Sequence, residues 1–491
     1  MAESNPDKDP VERRSAVDLI NQFASFLDVS VFCCLLGLTV LSVIPYGLVD
    51  IWWEAIFECL TFAVTAIWLL EVLFRGRWEV RKLSVLLPLV LITAFAFVQA
   101  IPLPGALASL ARGHLTAQNT LSIDRYQTLL TARKALALTL FFGLLLLHTS
   151  TPRRFRWLIR TVIGLGLASA LFAILRQLLQ SPDSQAGFGL SFLYYKVGFG
   201  QFLSPNLFAY LMEMVFGLLA GLVLGGGIRR NHVLIYLTLA AFVWTALVMS
   251  NSRGGILALV VQTVFLLFVS LSWYSARRLS RSDEQQHRLL KFVQGSVLLR
   301  VLMVVLLVIT LVVAVFWMGG EKFSNRVGEL DIDLASKVSQ VNVEGRSVDA
   351  FSRKDIWHST WQLIKQNPVT GVGFGSFFLA IPEFQKGAGR IKLEQAHNDY
   401  LDLAANGGVI AVILAAWFVV LVIRRTQVSF RSRDAYRRAA ALGATAGILS
   451  IAAHSFMDFG LQVTGIAVIF LTLVTICVAR IPNQSETGSS S

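Results

Sequence analysis

Several short stretches of this sequence combine residue types that could do chemistry. Gln395-Ala396-His397-Asn398-Asp399-Tyr400-Leu401-Asp402 sets an imidazole among amide, carboxylate and phenol groups. A histidine titrates near neutrality, which suits it to taking a proton from a weak nucleophile such as a hydroxyl. Asn398 and Tyr400 could orient the ring, and Asp399 is the alternative base. The plainer alternative is a surface or capping histidine. In Asn251-Ser252-Arg253-Gly254-Gly255 an arginine stands in a tight turn at the mouth of an apolar run. There a guanidinium could hold a phosphate or carboxylate through two parallel hydrogen bonds, or simply snorkel into the interface. Ser252 beside it, and Arg390 further along, are supporting candidates.

Arg353, in Phe351-Ser352-Arg353-Lys354-Asp355-Ile356-Trp357, falls in the first turn of a predicted helix. The helix dipole disfavours a cation there, so an arriving anion would remove a penalty; an ordinary surface ion pair would serve as well. Gly371-Val372-Gly373-Phe374-Gly375 has the spacing of a nucleotide-binding glycine loop, but no strand precedes it and no βαβ unit surrounds it. Its glycines are therefore read as sharp turns that let the chain approach a neighbour closely. His454 and Asp458, four apart at a helix end, can share a face and are read as a structural pair.

The elements that must position these residues follow from composition. Of 491 residues, 55% are hydrophobic and 15% charged, against about 25% charged in soluble domains. Lipid is the implied solvent. The net charge of +13 is carried mostly between apolar runs, where anionic headgroups are sufficient partners, so nucleic acid is not called for. Cys33, Cys34, Cys59 and Cys477 all lie inside apolar runs, which offers neither a disulfide framework nor a metal-binding spacing. The first 28 residues are polar and of mixed charge, unlike a cleavable signal peptide.

Backbone in hydrocarbon must satisfy its own hydrogen bonds, so each apolar run of about 20 residues is read as a helix. The expected fold is an all-α polytopic membrane protein with about 12 spans. These cover 29–48, 52–74, 83–102, 132–149, 157–179, 204–225, 231–250, 254–275, 296–319, 407–424, 437–456 and 461–480. Lys and Arg alternate between successive connections. Arg75 to Lys82, Arg153 to Arg156, Arg229 and Arg230, Arg277 to Lys291, and Arg424 to Arg438 mark one side as cytoplasmic, together with both termini. The division expected is a cytoplasmic segment 1–28, spans 1–9 over 29–319, a large outward loop 320–406, spans 10–12 over 407–480, and a disordered tail 481–491. A loop of that length in a compact membrane protein is usually functional. Within it, Ser352 can cap a helix in which Ile356, Thr360, Leu363 and Ile364 recur until Asn367-Pro368 stops it. A second loop helix is expected from Ala396 to Asn406-Gly407.

Taken together the motifs resemble the O-antigen ligase and O-antigen polymerase superfamily of bacterial inner-membrane glycosyltransferases. The resemblance runs from about Asn206 to the last span. It is carried by Ser252-Arg253-Gly254-Gly255, by Arg353-Lys354-Asp355-Ile356-Trp357 with Asn367-Pro368 to Phe377, by Ala396-His397-Asn398-Asp399-Tyr400, and by His454-Ser455-Phe456-Met457-Asp458. The sequence departs from the family pattern at Gly460-Leu461-Gln462-Val463-Thr464, where a proline and an asparagine often follow. The resemblance implies a GT-C-like membrane fold and a glycan donor linked to undecaprenyl diphosphate at the periplasmic face. It implies transfer to a sugar hydroxyl of lipid A core (ligase) or of a growing polysaccharide (polymerase), with inversion and without nucleotide sugar, cofactor or metal. By position His397 matches the family's loop histidine, and Arg253 and Arg353 its diphosphate-binding arginines. A transporter or flippase for lipid-linked oligosaccharide is a competing class, but it calls for broken spans, midplane charges and inverted repeats that the sequence does not display. A channel or assembly scaffold is a third.

Overall fold

The computed structural model describes residues 10–76, 84–102, 120–179, 198–279, 341–343, 346–348, 353–385 and 393–481. Apart from one three-residue hairpin, Val341–Val343 antiparallel to Arg346–Val348, its regular elements are helical. In chain order they are α1 (Pro10–Leu41), α2 (Ile51–Arg75), α3 (Leu87–Gln99), α4 (Arg125–His148), α5 (Pro152–Leu179), α6 (Pro205–Leu224), α7 (Val233–Met249) and α8 (Arg253–Leu279). After the hairpin come α9 (Arg353–Gln366), α10 (Asp399–Phe430), α11 (Ala435–His454) and α12 (Thr464–Val478). Among the described residues seven helical segments are long and apolar enough to cross a membrane, and three shorter ones are apolar. Over its described residues the chain is thus a predominantly helical polytopic membrane protein. Helices occupy eleven of the twelve predicted ranges; the other, 296–319, lies outside the described residues, as do Ser352 and Arg390.

Several helices outrun the apolar runs that announced them. α1 begins at Pro10 rather than near 29, and α4 at Arg125 rather than 132. Hydropathy marks only the stretch that prefers lipid, while a helix continues into polar sequence as long as its backbone bonds can be made.

α6 is the centre of the bundle, with 89% of its apolar window buried where the other long helices range from 28% to 50%. It packs most extensively against α11, through facing rows of small residues, Gly217, Gly221 and the capping Gly225 on one side and Ala439, Gly443 and Gly447 on the other. A Cβ on Gly221 would lie 2.1 Å from the Gly443 Cα, so the two backbones touch with no side chain between them. Lipid provides no hydrophobic drive for helices to associate, and close backbone packing of this kind supplies the attraction instead.

The region after the hairpin has a small core of its own. α9 buries Ile356, Ser359, Thr360 and Leu363, one face at helical spacing, against Val372, Phe377, Ile381, Leu393 and Ala405. The Gly371 to Gly375 stretch docks this unit on the bundle. Gly371, Gly373 and Gly375 all have positive φ; the Val372 and Gly373 amides donate to the Ala405 and Asn406 carbonyls, and Phe374 donates to the Gln99 side chain. The second predicted loop helix and the following span run on as α10, which breaks at Gly408 (φ 60°, ψ −164°). Past the break, Val409 and Ile410 donate to Pro368 and Val369 instead of to their own helix.

Candidate functional site

Three helices begin around one cavity. α6 starts at Pro205, where Ser204 Oγ accepts from the Asn206 amide at 3.2 Å. α8 starts at Arg253, where Ser252 Oγ accepts from the Gly255 amide at 3.1 Å. α9 starts at Arg353. First-turn residues of all three, Asn206, Arg253, Gly254 and Arg353, line a cavity of about 190 Å³ together with Asn251, His454 and Met457. A helix N-terminus carries unpaired amide protons and a positive dipole end, so each favours an anion. Here two of the three also bear a guanidinium, the charge least welcome at that end. Among the described residues neither Arg253 nor Arg353 has a carboxylate partner. Two guanidiniums and no carboxylate line the cavity, and an anion with paired oxygens would balance them.

A hydrogen-bonded chain leads from this cavity to His397. Ser252 Oγ donates to Asn206 Oδ1 at 2.7 Å, and Asn206 Nδ2 donates to Asp458 Oδ2 at 2.6 Å. The other Asp458 oxygen lies 3.4 Å from His397 Nδ1 and accepts from the Phe459 amide at 3.0 Å. Burial by itself would raise the Asp458 carboxyl, but the hydrogen bonds from His397 and Asn206 and the neighbouring imidazoles hold it below its ordinary value. His397 adopts a left-handed backbone conformation, φ 49°, uncommon for a residue with a Cβ. Its ring meets Phe459 edge-on at 5.1 Å and is 39% exposed, against 6% for Asp458.

The neighbours of His397 account for its conformation. Asn398 caps α10 by accepting from the Tyr400 and Leu401 amides, and its own amide donates to the Phe456 carbonyl at 3.1 Å. The Asp399 amide donates to the Ser455 carbonyl, and Asp399 Oδ2 accepts from Ser455 Oγ at 2.7 Å and the Leu461 amide at 3.2 Å. Tyr400 Oη donates to the Ala452 carbonyl at 2.7 Å. Three consecutive residues are thus stitched to 452–461, the segment that carries Asp458, and the imidazole and carboxylate are held in register.

Of the residues singled out in the sequence, Arg253 and Arg353 share the cavity. His397 is not among its lining residues and reaches it through Asp458 and Asn206. Asp399 faces Ser455 and Leu461. Ser252 caps α8 and starts the chain of hydrogen bonds. The expected pairing of His454 with Asp458 does not occur. His454 Nδ1 lies 2.7 Å from Glu213 Oε1 on α6, and Asp458 turns to His397 and Asn206. Helical spacing permits that pair only while the helix continues, and α11 ends at His454 itself. Asn206 and Glu213 went unnoticed in the sequence. Asn206 gave no signal beyond Ser204-Pro205-Asn206, a helix start, whereas Glu213 is an acid inside an apolar span, which is a functional candidate by default.

Fold and site together define a helical membrane protein in which a cavity lined by two arginines connects to an Asp–His pair. Residues 237–416 match the family model described as O-antigen ligase. Over that stretch, which holds Arg253, Arg353 and His397, the chain carries the signature of the O-antigen ligase family. Among curated proteins none matches the chain. Asn206, His454 and Asp458 lie outside the matched stretch.

Proposed function

We propose that the chain is a glycosyltransferase that moves a glycan from undecaprenyl diphosphate to a sugar hydroxyl at the periplasmic face of a bacterial inner membrane. The observation that carries this reading is the cavity where Arg253 and Arg353, without carboxylate partners among the described residues, meet the first turns of three helices. A diphosphate is already a good leaving group, so the need is for fixed positive charge where negative charge grows, and two guanidiniums meet it without a metal. The acceptor hydroxyl is a poor nucleophile. With His397 Nδ1 turned to Asp458, Nε2 is the nitrogen left to take the hydroxyl proton, and the carboxylate steadies the imidazolium that results. Attack on the face opposite the diphosphate inverts the anomeric centre. The positive-inside rule supports an outward cavity, with both termini cytoplasmic. Asp28, Arg75, His148 and Arg154 then form an ion-pair cluster on the cytoplasmic side.

The test is transfer by purified protein from an undecaprenyl-diphosphate glycan. His397→Ala should insert normally and turn over about 10²–10⁴-fold more slowly; wild-type turnover would remove His397 as base. Lipid-linked and surface polysaccharide in a deletion strain separates the two acceptors. Free lipid-linked polymer marks a ligase and single repeat units a polymerase, while an unchanged profile would argue against both.

A further inference from the structure

Beneath the cavity lies a buried acid–imidazole pair that the scheme above does not use. Glu213 and His454 are both 0% exposed. Glu213 Oε1 lies 2.7 Å from His454 Nδ1, and Oε2 accepts from Ser450 Oγ at 2.9 Å. The imidazole stacks on Tyr210 with ring centres 3.9 Å apart and planes 6° from parallel. Two partners therefore fix the ring, one in its plane and one across its face. Its second nitrogen, Nε2, is buried with no hydrogen-bond partner, although His454 is one of the residues lining the cavity.

Gly254 lets α8 pack this close to that nitrogen. A Cβ there would sit 2.3 Å from His454 Nε2, so any other residue at the second position of α8, which lines the same cavity, would press on the imidazole edge.

We propose that His454, oriented by Glu213, donates a hydrogen bond from Nε2 to a phosphate oxygen of the anion held between Arg253 and Arg353. The inference rests on the diphosphate reading of the cavity and adds a third contact to it. One proton is shared between Glu213 Oε1 and His454 Nδ1 across the 2.7 Å contact. A second on Nε2 leaves the pair neutral overall, with a donor turned to the cavity. The pair thereby supplies a charge-assisted donor without adding a third net positive charge to a site that already has two.

Removing one partner of a buried pair strands the other, so the useful variant removes both charges together. Binding of inorganic pyrophosphate to the purified full chain in detergent is measured by calorimetry for wild type, Arg253→Ala, His454→Gln, and Glu213→Gln combined with His454→Leu. The double variant should bind about tenfold or more weakly, as expected for loss of a charge-assisted bond. His454→Gln, which keeps an N–H near the same place, should bind within a few-fold of wild type. In glycan transfer the double variant should raise the donor KM more than it lowers kcat. Wild-type affinity in the double variant, with binding lost in Arg253→Ala, would overturn the role of His454 and leave the diphosphate reading intact. A wild type that binds no pyrophosphate would sink both. If the double variant does not fold, Gly254→Ala, which sets a methyl group against Nε2, should weaken pyrophosphate binding in the same way, and unchanged binding there would equally overturn the inference.

Discussion

Asn206 donates to Asp458 at 2.6 Å across 252 residues of chain, tying the first turn of α6 to the connection after α11. The same carboxylate faces His397, so one acid connects an element that borders the cavity with the imidazole that would act beside it. Asp458 is best understood as the residue that sets the direction of the His397 ring.

Asp458→Asn keeps the shape of the side chain and loses its charge. Turnover should fall on the order of 10²-fold or more, since an imidazole without its orienting carboxylate loses both tautomer and charge stabilisation. The donor KM should stay within a few-fold, because Arg253 and Arg353 are untouched. Steady-state kinetics with varied donor measure both, and a pure KM effect would contradict the assignment.

The lowered pKa of Asp458 also has a stability signature. A carboxyl held below its free value of about 3.9 stabilises the fold while ionised, fully so above that value, and the contribution is lost as pH falls through the lower native pKa. Melting temperature in detergent should therefore drop more steeply for wild type than for Asp458→Asn below about pH 4. Superimposable acid limbs would show that the carboxylate contributes nothing.

Arg253→Ala and Arg353→Ala should each raise the donor KM, and lysine at either position should restore use only in part, because an ammonium lacks the planar fork. Since both border one cavity, the double alanine variant should lose less than the product of the single effects. Simple multiplicative losses would place the two arginines on separate ligands.

Gly221→Ala sets a methyl group 2.1 Å from the Gly443 Cα, and backbone cannot yield as a side chain can. A loss of about 1–3 kcal/mol is expected, visible as a lower melting temperature. Gly164, with open space around its would-be Cβ, is the control position.

Much of this architecture was legible in the sequence. Apolar runs found the spanning helices, and the recurrence of Ile356, Thr360 and Leu363 found α9. Arg353 stood out because a cation at a helix start lacks a local reason. Illegible were the contacts made across the bundle. Periodicity relates residues three or four apart, whereas His454 meets Glu213 over 241 positions and His397 meets Asp458 over 61. His454 and Asp458 were matched to each other because they are near in sequence, and the end of α11 between them gives each a distant partner.

The break at Gly408 has a mechanical outcome. A continuous rod would pass any change of tilt, such as bilayers of different thickness impose, straight to the turn that holds His397. Because the Val409 and Ile410 amides are bonded to Pro368 and Val369, just beyond the end of α9, such a change is diverted first toward the helix that bears Arg353. The spanning part of α10 is thereby coupled to the end of α9 as well as to the turn at His397.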